Sequence, residues 1–175
     1  ELDVVLKDAI TQENKIAIIF NYVKSSLNWN GFVGYYTDKG VKKAYQDKIG
    51  NTADINLLLV SMLRYAKINA NPILVSTRSN GIPIFPSRTG FNYVIAGVEL
   101  ENKSIILLDA TNKNTSPNII PEKAMNWFGR MIRKDGSSSL IDLYPKTNSQ
   151  ENISMLSEIA EDGSVKGKQR KELTN

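Results

Sequence analysis

The chain of 175 residues has the length of one principal domain. Its 41% hydrophobic and 23% charged residues, with no apolar run near the roughly 18 residues of a membrane span, exclude a disordered tail and a membrane-spanning segment. It contains neither cysteine nor histidine, which excludes disulfides, thiol nucleophiles, imidazole bases and zinc sites built from these residues. The net charge of +4 is scattered, without the glycine and aromatic strip of an RNA-binding motif, so we expect no nucleic-acid partner.

The first predicted elements are two helices joined by an aromatic loop. Apolar residues recur at spacings of three and four over residues 12–26, which predicts a helix with Thr11 as its N-cap. A shorter polar helix is predicted over 38–48, ending at Gly50. The loop between the two helices contains the aromatic residues Trp29, Phe32, Tyr35 and Tyr36.

The next segment, residues 52–67, predicts the central helix of the domain. It has almost no polar stripe, and a helix that is apolar all round is typically buried. Asn51 is a suitable N-cap, and the carboxylate of Asp54 can face the unpaired amides at the start of the helix. The loop before the helix therefore places its side chains at the N-terminus of a buried helix.

Three short segments rich in β-branched residues follow, at 72–77, 92–99 and 104–109, and they predict strands. The short connection between the last two predicts an antiparallel hairpin, while residues 81–90 form a surface loop. Because helices precede the sheet without βαβ alternation, the predicted class is α+β, with N-terminal helices and the buried central helix packed on an antiparallel sheet.

The C-terminal part of the chain predicts a boundary after residue 144. An irregular segment and a short helical turn lead to a last strand at about 139–143. Alternating residues on both sides of an Asp-Gly turn at 162–163 then predict a hairpin. A lone hairpin is marginal in water, so we expect residues 145–175 to be a linker and the opening of a following β domain. Since the chain begins with Glu1, we expect it to be a piece of a longer polypeptide.

Three strings in the predicted order resemble the transglutaminase-like superfamily: Gly-Asn-Thr-Ala-Asp at 50–54, Phe-Asn-Tyr-Val at 91–94 and Leu-Leu-Asp-Ala-Thr at 107–111. The helix and strand sequences at 58–64 and 68–78 also resemble transglutaminase-like domains of large multidomain proteins from Bacteroidetes-type bacteria. The resemblance covers residues 12–143 and implies a papain-like fold. The family has a catalytic Cys, His and Asp at the three places that the first strings mark.

The resemblance places Thr52 at the family's cysteine, Tyr93 at its histidine and Asp109 at its aspartate. Only the aspartate matches. The hydroxyl of Thr52 is far less acidic than a thiol, and a tyrosine with an ordinary pKa near 10 is a poor base at neutral pH. The resemblance therefore implies a degenerate triad and an enzyme that has lost its activity.

Without the resemblance, Thr52 is a helix-start residue, Tyr93 a strand aromatic and Asp109 a turn former. A hydrolase or acyl transferase that uses the hydroxyl of Thr52 or Ser61 is the alternative, and the buried-helix pattern argues against Ser61. The oxygen-rich segment 109–114 lacks the glycine and distal glutamate of a calcium loop, so neither metal nor cofactor is expected.

Four further residues are expected to line the remnant of the catalytic cleft: Trp29, Asn51, Asp54 and Asn92. Packing in the core is the alternative for Trp29 and for the Tyr35–Tyr36 pair. The predicted function is that of an inactive transglutaminase-like domain, a binding or structural module of a larger exported bacterial protein. Its expected partners are flanking β domains of the same polypeptide and a peptide, protein or glycan ligand. The resemblance places the protein in the periplasm or cell envelope.

Overall fold

The computed structural model describes residues 2–7, 9–85, 87 and 89–174. Contacts within the chain divide it into two units, Glu1–Tyr144 and Pro145–Asn175. The first unit combines helices with a five-stranded antiparallel sheet, which confirms the predicted α+β class. None of the helices formed by the described residues is long and apolar enough to cross a membrane.

The described residues of the first half of the chain form four α-helices: α1 (Leu2–Val5), α2 (Gln12–Ser26), α3 (Val41–Asp47) and α4 (Thr52–Tyr65). Thr11 caps α2 as predicted, because its hydroxyl accepts a hydrogen bond from the backbone N–H of Asn14 at 3.2 Å. The stop at Gly50 that was predicted for the helix over 38–48 is wrong. This helix, α3, ends at Asp47, and its C-cap is Lys48, whose backbone takes the left-handed conformation with φ of 58°. Gly50 belongs instead to the two-residue strand β2 (Ile49–Gly50), which pairs in parallel with β1 (Asn28–Trp29).

The first turns of α4 are buried, but the helix is not buried all round. Asn51 and Asp54 form a reciprocal capping box at its start. The Asn51 side-chain oxygen accepts from the Asp54 backbone N–H at 2.8 Å, and the Asp54 carboxylate accepts from the Asn51 N–H at 3.0 Å. Near the other end of the helix, Ser61 and Tyr65 are exposed. The predicted burial therefore holds for the head of the helix and fails on one face of its last turns.

The sheet has the strand order β5-β4-β3-β6-β7 with every neighbouring pair antiparallel. Its strands are β3 (Ala70–Val75), β4 (Tyr93–Glu99), β5 (Ile105–Leu108), β6 (Phe128–Ile132) and β7 (Ser138–Asp142). The predicted hairpin of β4 with β5 is confirmed, and so is the last strand. The sequence analysis missed β6. The register pairs Val75 of β3 with Tyr93 of β4, so β4 begins where the central strand ends.

Helices cover one face of the sheet, and a smaller cluster fills the other. The helix-side core joins α2 and α4 to residues of β3, β4 and β5, including Ala70, Ala96, Val98 and Leu108. The opposite face holds Ile73, Val75, Tyr93, Ile95, Met131 and Leu143. Tyr93 is the first residue of β4 and is fully buried in this second cluster.

The second unit consists of one hairpin, β8 (Gln150–Ile159) with β9 (Val165–Thr174). The predicted hairpin is present. Asp162 in the turn accepts a hydrogen bond from the Ser164 backbone N–H at 2.9 Å. Every residue of both strands is exposed, as a two-stranded ribbon without a covering layer must be. A following β domain stays a prediction.

Candidate functional site

Thr52 is the first residue of α4. Two residues before it, the backbone at Gly50 passes so close to its neighbours that a side chain there has no room. A Cβ atom at Gly50 would lie 2.6 Å from the Cβ of Asp54 and 3.1 Å from that of Ala44. Gly50 therefore lets the chain pass close to the capping box before it enters the helix. This close approach and the Asn51 cap fix the position of Thr52.

Tyr93 and Asp109 meet because β4 begins beside the end of β5. The Tyr93 hydroxyl donates a hydrogen bond to Oδ2 of Asp109 at 2.8 Å, and it lies 3.2 Å from the Thr111 hydroxyl. The Thr52 side chain lies close enough to the Tyr93 phenol to affect its pKa, while the Thr52 hydroxyl donates its proton to the Phe32 carbonyl. The structure thus brings together the three residues at the positions that the resemblance assigns to the triad.

A second set of donors holds the other carboxylate oxygen of Asp109. Its Oδ1 accepts from the backbone N–H of Thr111 at 2.9 Å and from the Thr111 hydroxyl at 2.7 Å. Asn56 of α4 approaches the same oxygen at 3.3 Å and also binds the backbone at Val94 (2.9 Å) and Ala110 (2.9 Å). A single buried amide therefore ties the central helix to both strands that carry the site.

The three triad-position residues are closed to solvent. Thr52, Tyr93 and Asp109 are each 0% exposed, so they form a buried network where the sequence analysis expected the remnant of a catalytic cleft. Burial, and then the negative charge of Asp109, raise the pKa of the Tyr93 phenol well above its ordinary value of 10. The phenol therefore stays protonated at every physiological pH and cannot act as a general base.

A backbone carbonyl occupies the head of α4. The Phe32 carbonyl oxygen accepts hydrogen bonds from the Thr52 backbone N–H at 3.2 Å, the Thr52 hydroxyl at 3.2 Å and the Trp29 indole N–H at 2.9 Å. Convergent donors at a helix N-terminus are what an acyl-transfer enzyme aims at the oxyanion of its transition state. Here the chain itself fills that place.

Lys123 covers the Trp29 side of the network. Its ammonium nitrogen lies 3.8 Å from the centroid of the Trp29 ring and 5.4 Å from that of the Tyr93 ring, which places it in cation–π contact. Desolvation lowers the pKa of Lys123, and the charge of Asp109 opposes this shift. Lys123 lies in the 3₁₀ turn Glu122–Ala124, so a distant segment contributes to the closure.

The other predicted cleft residues have local structural partners. Asn51 caps α4 and donates to the Tyr36 carbonyl at 3.1 Å. Asn92 exchanges two 2.8 Å hydrogen bonds with Thr77. Asp54 completes the capping box, and its Oδ1 has no hydrogen-bond partner among the described residues. Trp29 shares the Phe32 carbonyl with Thr52 and lies against Lys123.

Tyr35 and Tyr36 pack edge to face at 4.9 Å, and Tyr36 is exposed. Ser61, the alternative nucleophile, is also exposed, and its hydroxyl donates to the Leu57 carbonyl at 2.8 Å within the helix. The described residues contain no group of three acidic, His or Cys side chains that could hold a metal ion.

Sequence reasoning missed Asn56 and Lys123 and the part played by the Phe32 carbonyl. Asn56 had a signal, since it stands between Ile55 and Leu57 in an otherwise apolar helix and a buried amide needs partners. The Phe32 carbonyl had none, because a backbone oxygen is present at every residue. Lys123 is one of many lysines, and only the folded chain brings it to Trp29.

The comparisons with known proteins support the fold. No protein-family model matches the sequence, and no curated protein matches it significantly. The solved structure of a proposed protease from Parabacteroides distasonis has a TM-score of 0.58 at 15% identity, covering 82% of this chain and 27% of its own. A proposed cysteine protease from Cytophaga hutchinsonii has a TM-score of 0.51 at 10% identity, covering 99% of this chain and 48% of its own.

These likenesses show that the chain has a papain-like α+β fold, the fold of cysteine proteases. The chain spans about a quarter of the first protein and about half of the second. At such low identity the comparison concerns the fold alone. The chemistry must be argued from the side chains at the site.

Proposed function

We propose that this domain is a catalytically inactive member of the transglutaminase-like superfamily, serving as a binding or structural module in a larger exported bacterial protein. The strings at 50–54, 91–94 and 107–111 support the superfamily. The fold shared with two proteins of Bacteroidetes-type bacteria supports the proposal that the larger protein is bacterial. The proposed partners are flanking β domains of the same polypeptide and a peptide, protein or glycan.

The main support for a catalytically inactive domain is the hydrogen bond from the Tyr93 hydroxyl to Asp109, both of which are fully buried. In an acyl-transfer enzyme the group at this place must accept the proton of the nucleophile and later return it to the leaving group. A phenol that already donates its proton to Asp109, and whose pKa is raised further by burial, does neither. The pair retains the hydrogen bond of a triad without its acid–base chemistry.

The head of α4 supports the same conclusion through two donors that do not belong to the changed side chains, the Thr52 backbone N–H and the Trp29 indole N–H. The donors that would stabilise a transition-state oxyanion are engaged by the Phe32 carbonyl. A substrate carbonyl could reach them only if the loop carrying Phe32 moved away. The site is therefore closed to both the nucleophilic and the electrostatic parts of the family mechanism.

One observation favours the second candidate, a hydrolase with Thr52 as nucleophile. Lys123 is a cation with a lowered pKa beside the site, and an amine of lowered pKa can serve as the base for a hydroxyl nucleophile. Against this, the Thr52 hydroxyl donates its proton to the Phe32 carbonyl and is 0% exposed. Both features favour the inactive module.

The test is an assay of the purified natural domain with peptide and glutamine-amide substrates, beside Thr52→Ala, Lys123→Met and the double variant Thr52→Cys/Tyr93→His. We expect no turnover above the blank for the natural sequence. Turnover that Thr52→Ala abolishes would overturn the proposal, and its loss in Lys123→Met as well would establish the lysine-assisted hydrolase. Turnover by the double variant alone would locate the loss of activity in the two side chains and would refute the argument that the Phe32 carbonyl closes the site.

A further inference from the structure

A basic hollow lies at the far end of α4 from Thr52. Arg64 lies in the last turn of the helix, about 18 Å along the axis from Thr52 at 1.5 Å per residue. The hollow has a volume of about 550 Å³, which is within the usual range for small-ligand sites. It is lined by Arg64, Lys67, Ile68, Asn69, Ala70, Asn71, Arg133, Lys134 and Asp135. Four cations and one carboxylate thus surround one open space.

Arg64 is held rigidly by neutral partners. Its Nε donates to the Ala70 carbonyl at 2.7 Å, and its Nη2 donates to the side-chain oxygen of Asn71 at 2.8 Å. A guanidinium has five N–H groups, so these two bonds leave three without a partner in the part of the chain that the structure describes. Two of the remaining groups, one on each Nη, form the parallel edge that binds an oxyanion through two hydrogen bonds. The fold fixes the orientation of the guanidinium without neutralising its charge.

The neighbouring carboxylates are already engaged. Glu99 accepts from the Asn71 side chain at 2.9 Å and forms a two-pronged ion pair with Arg133, with contacts of 2.8 and 2.9 Å. Asp135 accepts from the Ser137 backbone N–H at 2.9 Å and so stabilises its own turn. Neither carboxylate binds Arg64.

Two exposed lysines add charge at the hollow. Lys67 follows α4 and Lys134 lies in the turn between β6 and β7. Across residues 2–7, 9–85, 87 and 89–174, no carboxylate forms an ion pair with Arg64, Lys67 or Lys134. Three cations without an ion-pair partner among the described residues surround the hollow, and one of them is fixed in position. Together they produce a local positive potential that attracts anions.

From this arrangement we propose that the hollow binds a small multivalent oxyanion, a ligand bearing two or more carboxylate or phosphate groups. One group binds the free edge of Arg64, and the others lie between Lys67 and Lys134. The flexible ammonium groups act as point charges and tolerate different spacings, whereas the guanidinium selects a planar or tetrahedral oxyanion. The proposal does not depend on the chemistry of the triad positions, which lie at the other end of α4.

The test is a two-dimensional NMR titration of the natural domain with citrate and with pyrophosphate, at constant ionic strength set by sodium chloride. We expect saturable shifts confined to the amides of residues 64–71 and 133–135, with a dissociation constant of about 1 mM or tighter. Preference for citrate would identify the ligand groups as carboxylates, and preference for pyrophosphate would identify them as phosphates. No saturable shift with either probe up to about 20 mM would overturn the proposal.

The variant Lys67→Gln/Lys134→Gln should weaken binding about tenfold and leave the fold intact, because both side chains are exposed. Its matched control is Lys103→Gln/Lys113→Gln, two exposed lysines in other turns. Lys103 shares with Lys67 a backbone φ of 64°. The control should retain full affinity apart from a small change in net charge. An equal loss in both pairs would show a nonspecific charge effect and would refute the site.

The variant Arg64→Lys tests whether binding requires the two-pronged edge of the guanidinium or only a positive charge at this position. It retains the charge and removes the two-pronged edge, so affinity should fall at least about threefold while the lysines still attract the anion. Thermal unfolding of the same sample checks that the change leaves the end of α4 folded. Unchanged affinity in a folded Arg64→Lys variant would refute the assigned role of the guanidinium.

Discussion

Replacing Tyr93 with phenylalanine removes one oxygen from the centre of the closed network and leaves its apolar packing in place. Within the described residues, the Tyr93 hydroxyl is the one donor to Oδ2 of Asp109, at 2.8 Å. Oδ1 keeps its bonds to Thr111 and Asn56. The variant therefore leaves half of a fully buried carboxylate without a partner.

The magnitude follows from that orphaned oxygen. Leaving a buried acceptor unsatisfied costs about 1–3 kcal/mol, and a charged group lies toward the upper end. We therefore expect Tyr93→Phe to lower the free energy of unfolding by about 2–3 kcal/mol, whereas Thr52→Ala should cost about 1 kcal/mol or less. Urea unfolding at pH 7, followed by circular dichroism, measures both values.

The exposed tyrosine Tyr36 provides the matched control, and Tyr36→Phe should stay within about 0.5 kcal/mol of the natural sequence. A double-mutant cycle with Asp109→Asn tests whether the loss comes from the Tyr93–Asp109 bond, because the two changes should then be strongly non-additive. If Tyr93→Phe were as stable as the natural domain, the buried pair would not support the fold and the reasoning would fail.

Three further predictions concern the same region. Gly50→Ala should lower stability by about 1–3 kcal/mol because its Cβ has no room, whereas Gly34→Ala, whose Cβ meets only ordinary contacts, should be near neutral by urea unfolding. The pKa of Tyr93 is raised in the folded state, so the protonated phenol contributes to the free energy of unfolding. This contribution is fully present below pH 10 and is lost progressively as the pH rises above 10. Stability of the natural domain should then fall by up to about 1.4 kcal/mol per pH unit more steeply than that of Tyr93→Phe, and equal slopes would contradict the shift. Lys123→Gln should lower stability by about 0.5–1 kcal/mol through the lost contact with the Trp29 ring, and a stabilised variant would exclude a favourable cation–π contact.

The main elements of the fold could be predicted because their signals are local. The apolar run of α4, the Asn51 cap and the β-branched residues of β4 each specify their own segment. Strand β6 was missed because Gly129 and Arg130 interrupt its apolar pattern. Gly129 is required by packing, since a Cβ there would lie 2.6 Å from a side-chain carbon of Ile73 on the neighbouring strand.

The position of the candidate site could be predicted, but its closure to solvent could not. The strings around Thr52, Tyr93 and Asp109 marked three residues that the fold brings together. Their complete burial could not be predicted. The groups that contact the buried residues include the Phe32 carbonyl and Lys123, which come from segments about 20 and 70 residues from Thr52 along the chain. The closure of the site arises from the packing of loops that are distant in sequence, and no sequence motif marks it.

The reactivity of a thiol at position 52 tests the closed site most directly, because the natural chain has no cysteine and Thr52→Cys introduces a single thiol. Ser61→Cys, on the exposed face of the same helix, is the matched control. With an aromatic disulfide reagent at pH 8, we expect Thr52→Cys to react at least about a hundredfold more slowly than Ser61→Cys, since reaction requires local opening. Both variants should react at similar rates in denaturant. Equal rates in the folded proteins would show an open cleft and would contradict the account of a closed, inactive site.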